Sequence, residues 1–141
     1  MTEYYNDVYI NNKYSILSST KYKPIVMENV NKCIDDYYFG MNTIEEAESK
    51  YQEITISELL KNNKVDLIIS GDLQNQILCS TLACTKNDIP FLGIYSACAT
   101  FVEGLIIASN FENKNISAYP FNKSFSSCIH RRTSHSISKS C

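Results

Sequence analysis

A metal or redox centre has little to draw on in this sequence. It holds two histidines, His130 and His135, both near the C-terminus, and no Cys-x-x-Cys pair; Cys79 and Cys84 are five positions apart. Those absences disfavour a zinc site and a dithiol redox motif, so no metal and no cofactor is expected. The start lacks a basic segment followed by a continuous apolar one. MTEYYNDVYI is acidic and aromatic, which argues against a secretory leader and for a cytoplasmic chain. The six cysteines, Cys33, Cys79, Cys84, Cys98, Cys128 and Cys141, then read as reduced thiols rather than a disulfide framework. Acidic residues are missing after Phe121, where Lys123, Arg131, Arg132 and Lys139 give the tail +4 and leave −6 on residues 1–121, within a net charge of −2. Four charges on a tail make no basic face, so nucleic acid is not an expected partner.

What is present fits one globular domain: 141 residues, 44% hydrophobic and 20% charged. The longest apolar stretch, IPFLGIYSACATFVEGLIIAS (89–109), is about eighteen residues in its apolar part, near the roughly twenty a membrane span needs. Pro90 restricts its start and no Lys or Arg closely flanks it. Glu103 would sit near mid-membrane at a cost of about 2.5 kcal/mol or more. A buried strand running into a buried helix is the better reading, with no transmembrane helix.

Local patterns set the expected elements. Residues 7–17 read as a short hairpin or an irregular strand around a turn-like break at Asn11-Asn12-Lys13. Residues 41–63 read as a helix capped by Asn42 or Thr43, with Glu45, Glu46 and Glu48 in its first turns and Lys61 at its end, its charges forming a solvated face. A strand over 64–70 closed by Gly71, a helix over 73–87, a strand over 91–96, a helix over 97–110 and a strand over 115–121 complete the order. This β-α-β-α-β succession favours parallel pairing and an α/β class. The helix over 97–110 is apolar on nearly every face, with Glu103 its sole charge, and such a helix needs layers on both sides. Either the chain associates as a homodimer or it is part of something larger.

DDYYFG (35–40) followed by an acidic helix, VDLIISGDLQNQ (65–76) and above all the 89–109 stretch resemble the N-terminal part of the stage V sporulation protein AD family, in the thiolase-like superfamily. The resemblance covers residues 7 to about 119. It implies an incomplete thiolase-like fold: the first β-α-β-α-β portion of an αβαβα layered architecture, without the second half that carries the histidines of true thiolases. ILSSTKYKPIVMEN (16–29) lacks the glycine-rich Gly-Pro element expected early in that family. Residues 1–119 are thus expected to form a truncated thiolase-like domain. Residues 120–141, with seven serines between Pro120 and Cys141, are expected to be an unmatched, disordered end left by a truncated or shifted reading frame.

Cys98 is open to three readings: a nucleophile, a ligand-pocket residue, or a small core side chain. A cysteine at a helix N-terminus meets free N–H groups and the positive end of the helix dipole, which favour thiolate and also hold a carboxylate. In thiolases and ketoacyl synthases this position is the acyl-accepting nucleophile, served by histidines of the other half. With that half absent, turnover is not expected, and the family resemblance points instead to binding pyridine-2,6-dicarboxylate, dipicolinate. It implies a place in its uptake into the spore with other stage V sporulation membrane proteins, in the cytoplasm or peripherally at the spore inner membrane. Cys98, Ser96 and Thr100 would line the pocket, with Asp72, Asn75 and Gln76 at the neighbouring strand-to-helix turn as polar contacts or as helix caps. The competing function is a condensing acyltransferase with Cys98 as nucleophile.

Overall fold

The computed structural model describes residues 8–18, 30–61, 63–73, 76–112, 118–122 and 125–131. The strands are β1 (Val8–Tyr14), β2 (Ile16–Ser18), β3 (Lys32–Ile34), β4 (Leu67–Ser70), β5 (Phe91–Gly93), β6 (Ala118–Asn122) and β7 (Phe125–Arg131). The helices are α1 (Ile44–Leu60), α2 (Leu78–Cys84) and α3 (Thr100–Glu112), the last preceded by a 3-10 turn, Ala97–Ala99.

The α/β class is present, with β4, β5 and β6 parallel as the succession predicts. They lie in a five-stranded sheet ordered β1-β7-β6-β4-β5. The sheet is mixed rather than all parallel, because β7 joins β6 and β1 joins β7 in antiparallel fashion. Of the two forms expected over 7–17, hairpin or irregular strand, the irregular strand is present. β1 runs straight through Asn11-Asn12-Lys13, absorbing it as a register shift between Ile10 and Asn12, and takes β7 as its partner. β2 pairs instead with β3, in parallel, in a separate two-stranded sheet. The seam expected at residue 120 falls inside β6, and part of the stretch beyond it is strand β7. Residues 19–29, most of the ILSSTKYKPIVMEN loop, and 132–141 of the tail lie outside the described residues.

Period-two alternation in β4 sorts the core into two faces. Ile68 packs with Ile56 and Leu59 of α1 and with Ala83 and Cys84 of α2. Ile69 packs on the opposite face with Ile94 and Ala108, joined by Leu105 and Ile107 of α3. Helix α1 starts where the sequence indicates: Thr43 and Glu46 form a capping box, Glu46 N donating to Thr43 Oγ1 at 3.2 Å and the Glu46 carboxylate accepting from Thr43 N at 3.3 Å. Its charges do not all form the solvated face expected of them. Glu48 and Gln52 are buried, on the same side as Tyr51, Thr55, Ile56 and Leu59. Helix α3 buries Ala108, yet Val102 and Ile106 on its outer side remain 56% and 53% exposed.

Candidate functional site

The candidate site lies where β4 and β5 end side by side. Ser70 is paired with Gly93, and Ile94 N donates to Ser70 O at 2.9 Å, so the chain leaves both strands at one edge. Ligands of α/β sheets gather at such carboxyl ends. Two turns emerge there, one beginning at Gly71 and leading to α2, the other at 94–99 leading to α3, and they touch. A Cβ on Gly71 would sit 2.2 Å from Ile94 O and 2.5 Å from Thr100 Cγ2, so only glycine permits this approach. Behind it, the Ile77 side chain closes over Gly93, where a Cβ would meet Ile77 Cδ1 at 3.0 Å.

In the second turn Ala97 adopts a left-handed φ of 48°, which swings the chain from strand direction into the 3-10 turn. Thr100, fully buried, fastens it: its hydroxyl donates to Ala97 O at 2.8 Å and accepts from Ser96 N at 3.0 Å. Cys98 is exposed at the head of the thirteen-residue α3, and Ser96 is exposed beside it. The Ser96 hydroxyl donates to Glu103 Oε2 at 2.5 Å. Ser96 and Glu103, with Ala99, Val102, Ile106 and Ile107, line an apolar groove of about 370 Å³ along the outer side of α3.

In the first turn Asp72 is fully buried and caps α2. Its carboxylate accepts from Cys79 N at 2.7 Å and Ser80 N at 2.8 Å, and from the Ser80 hydroxyl. Gln52 Nε2 of α1 lies 3.4 Å from the same carboxylate. Gln52 Oε1 accepts from Ser70 Oγ at 3.1 Å, and Glu48 Oε1 accepts from Leu73 N at 3.1 Å. Gln76 is exposed at the end of this turn with φ 37°. Asn75 lies outside the described residues.

Of the side chains singled out from sequence, Cys98, Ser96 and Gln76 are therefore exposed at one edge. Asp72 and Thr100 are buried beneath it, the Asp72 carboxylate bonded to the first turn of α2 and the Thr100 hydroxyl to the 94–99 turn. Sequence reasoning missed Glu48 and Gln52. The signal was their spacing: 48, 52 and 55 fall beside Ala47, Tyr51 and Ile56 on a helical wheel, which places them on the packed face.

Burial pushes the Cys79 thiol up to about 12, with the Asp72 and Glu48 charges adding to the effect, and burial with the Asp72 charge pushes Cys84 to about 12. Both are inert thiols near neutral pH. Among the described residues no cluster of three or more His, Cys, Asp or Glu side chains offers a metal site. Among them, too, no helix is long and apolar enough to cross a membrane.

A family model described as stage V sporulation protein AD (SpoVAD) matches residues 2–134. A curated protein named stage V sporulation protein AD, from Bacillus subtilis (strain 168), is 30% identical over an 83-residue alignment that covers 55% of this chain and 25% of that protein. The match thus spans a quarter of the curated relative's length.

Proposed function

The chain belongs to the stage V sporulation protein AD family, and on that footing we propose that it is a sporulation protein that binds dipicolinate for transfer into the developing spore. In this reading it works at the spore membrane beside membrane-embedded partners of the same system. The observation that carries the proposal is the exposed Ala97–Ala99 turn at the head of α3, set against the end of β4. A helix N-terminus concentrates N–H donors and partial positive charge, which suits a carboxylate. Dipicolinate is a planar dianion with a carboxylate at each end of its ring. Cys98 and Gln76 are the exposed groups able to meet it, the Ser96 hydroxyl being engaged by Glu103, and Asp72 and Thr100 shape the turns below. Glu103 would repel a dianion from the apolar groove, which favours the side of the turn away from Glu103.

Exposure of the Cys98 thiol also favours one other reading, a condensing acyltransferase with Cys98 as nucleophile. Calorimetric titration of the chain with dipicolinate, beside Cys98→Ala, separates the two. Binding that weakens in the variant supports the dipicolinate reading. Absence of binding by the unaltered chain overturns it, and covalent acylation of Cys98 by an acyl thioester moves the assignment to the condensing enzyme.

A further inference from the structure

Helix α1 lies across the sheet from α3, yet it grips the candidate site's first turn at three points. Gln52 Oε1 holds Ser70, the last residue of β4; Gln52 Nε2 faces Asp72; Glu48 Oε1 holds the Leu73 amide. These points bracket Gly71, whose Cα side has no spare room against Ile94 O and Thr100 Cγ2. A displacement of 70–73 toward β5 is therefore passed to Thr100 by direct contact. Thr100 in turn fixes Ser96 N and Ala97 O, the backbone groups that shape the Cys98 turn.

We propose that Gln52 is a positioning residue for this edge, acting through Ser70, Asp72 and the Gly71–Thr100 contact to hold the Ala97–Ala99 turn in its binding geometry. Gln52 is 3% exposed and therefore acts through its neighbours. Its side chain is bidentate in function, one end accepting from the strand terminus and the other donating toward the α2 cap, so it sets the spacing between β4 and the start of α2. A leucine of similar size fills the volume and supplies neither bond, which leaves Ser70 and Asp72 less constrained.

Hydrogen exchange at the amides of Ser96, Ala99 and Thr100 tests this directly. Each donates a hydrogen bond inside the turn: Ser96 N to Thr100 Oγ1, Ala99 N to Ser96 O and Thr100 N to Ala97 O. In Gln52→Leu their exchange is expected to accelerate about twofold to thirtyfold, the range typical of coupling through a contact network. Ile56→Val serves as control, because it loosens the same helix in the apolar cluster with Leu59 and Ile68 without touching the turn. Unchanged protection in Gln52→Leu, or equal acceleration in Ile56→Val, overturns the proposal. Should Gln52→Leu fail to fold, Ser70→Ala, which removes only the Ser70 hydroxyl's bonds to Gln52 and Ser80, carries the same expectation. The consequence for affinity rests on the dipicolinate reading: if that reading holds, Gln52→Leu weakens binding as well. If the unaltered chain binds no dipicolinate, only the functional reading falls, and the exchange rates still decide the role of Gln52.

Discussion

Gly71→Ala probes the junction on which the candidate site depends. The added methyl would lie 2.2 Å from Ile94 O and 2.5 Å from Thr100 Cγ2, where ordinary contact begins at 3.4 Å. The nearer obstacle is backbone, so no side-chain rotation relieves it. Ile94 cannot simply withdraw either, because its own amide is bonded to Ser70 O. Relief requires the ends of β4 and β5 to part. Overpacking of this kind costs about 1–3 kcal/mol, with a backbone obstacle at the upper end. Restricting the unfolded chain returns about 0.4–1 kcal/mol, leaving a net loss near 2 kcal/mol. With a urea slope of about 1–3 kcal/mol per molar, the midpoint of unfolding should fall by about 1 M at unchanged slope. Gly40→Ala is the matched comparison. Gly40 has φ 72° and no heavy atom within 4 Å of its would-be Cβ, so its cost is conformational alone, about 1 kcal/mol. A Gly71→Ala midpoint at or above that of the unaltered chain, or a larger loss for Gly40→Ala, would refute the steric account of the junction.

Two further expectations concern the buried polar groups beneath the edge. Asp72→Ala strands the Cys79 and Ser80 amides and the Ser80 hydroxyl, so it should cost about 2–4 kcal/mol, the sum of a lost cap and unsatisfied buried donors. Asp72→Asn keeps one acceptor oxygen and should lose less, and chemical denaturation of the pair checks the order. Cys79 and Cys84 hold their protons to about 12 in the folded chain against an ordinary 9.0, so an unfolded chain loses them first as pH rises. Their contribution to stability is complete below about pH 9 and fades between about 9 and 12. Urea midpoints at pH 8 and pH 10 should therefore diverge, and the divergence should shrink in Cys84→Ala; an identical divergence there would count against the buried-thiol account.

Much of this arrangement is legible locally. The start of α1 follows from Thr43 and Glu46, a signal contained within four residues. The cores of β4 and β5 follow from short apolar runs with glycine at or just after their ends, and the parallel order of β4, β5 and β6 follows from the helices between them. The pairing of β1 has no such signal. Its partner lies more than a hundred residues away, and the Asn11-Asn12-Lys13 stretch that resembles a turn is a register shift inside a strand. At the candidate site, the position of Cys98, Ser96 and Gln76 between strand and helix is legible in the sequence. That of Glu48 and Gln52 is not, because a charge or an amide in an acidic helix is ordinarily solvated, and only the fold shows that this helix presents them to a turn.

That turn explains where the fold puts its buried polarity. Glu48, Gln52, Ser70, Asp72, Ser80 and Thr100 are all buried, and their bonds converge on the carboxyl ends of β4 and β5. The rest of β4 is apolar: Ile68 and Ile69 pack into the two cores on either face of the sheet. Apolar packing alone would hold the layers together, but it is tolerant of small shifts. A buried hydrogen-bonded network is not, because each displaced partner leaves a buried group unpaired. Concentrating that intolerance at one edge fixes the turns that carry Gln76 and Cys98, while the outer side of α3 stays apolar, with Glu103 engaged by Ser96. The two sides of the turn thus differ in kind: one is built of polar groups held in register, the other of exposed Val102 and Ile106 beside a single carboxylate. Glu103 repels an anion from the second, whereas on the first the Asp72 and Glu48 carboxylates are buried behind the turns. This asymmetry gives the dipicolinate reading a direction: Gln76→Glu, which carries the repulsion to the favoured side, should weaken binding more than Val102→Ala on the other.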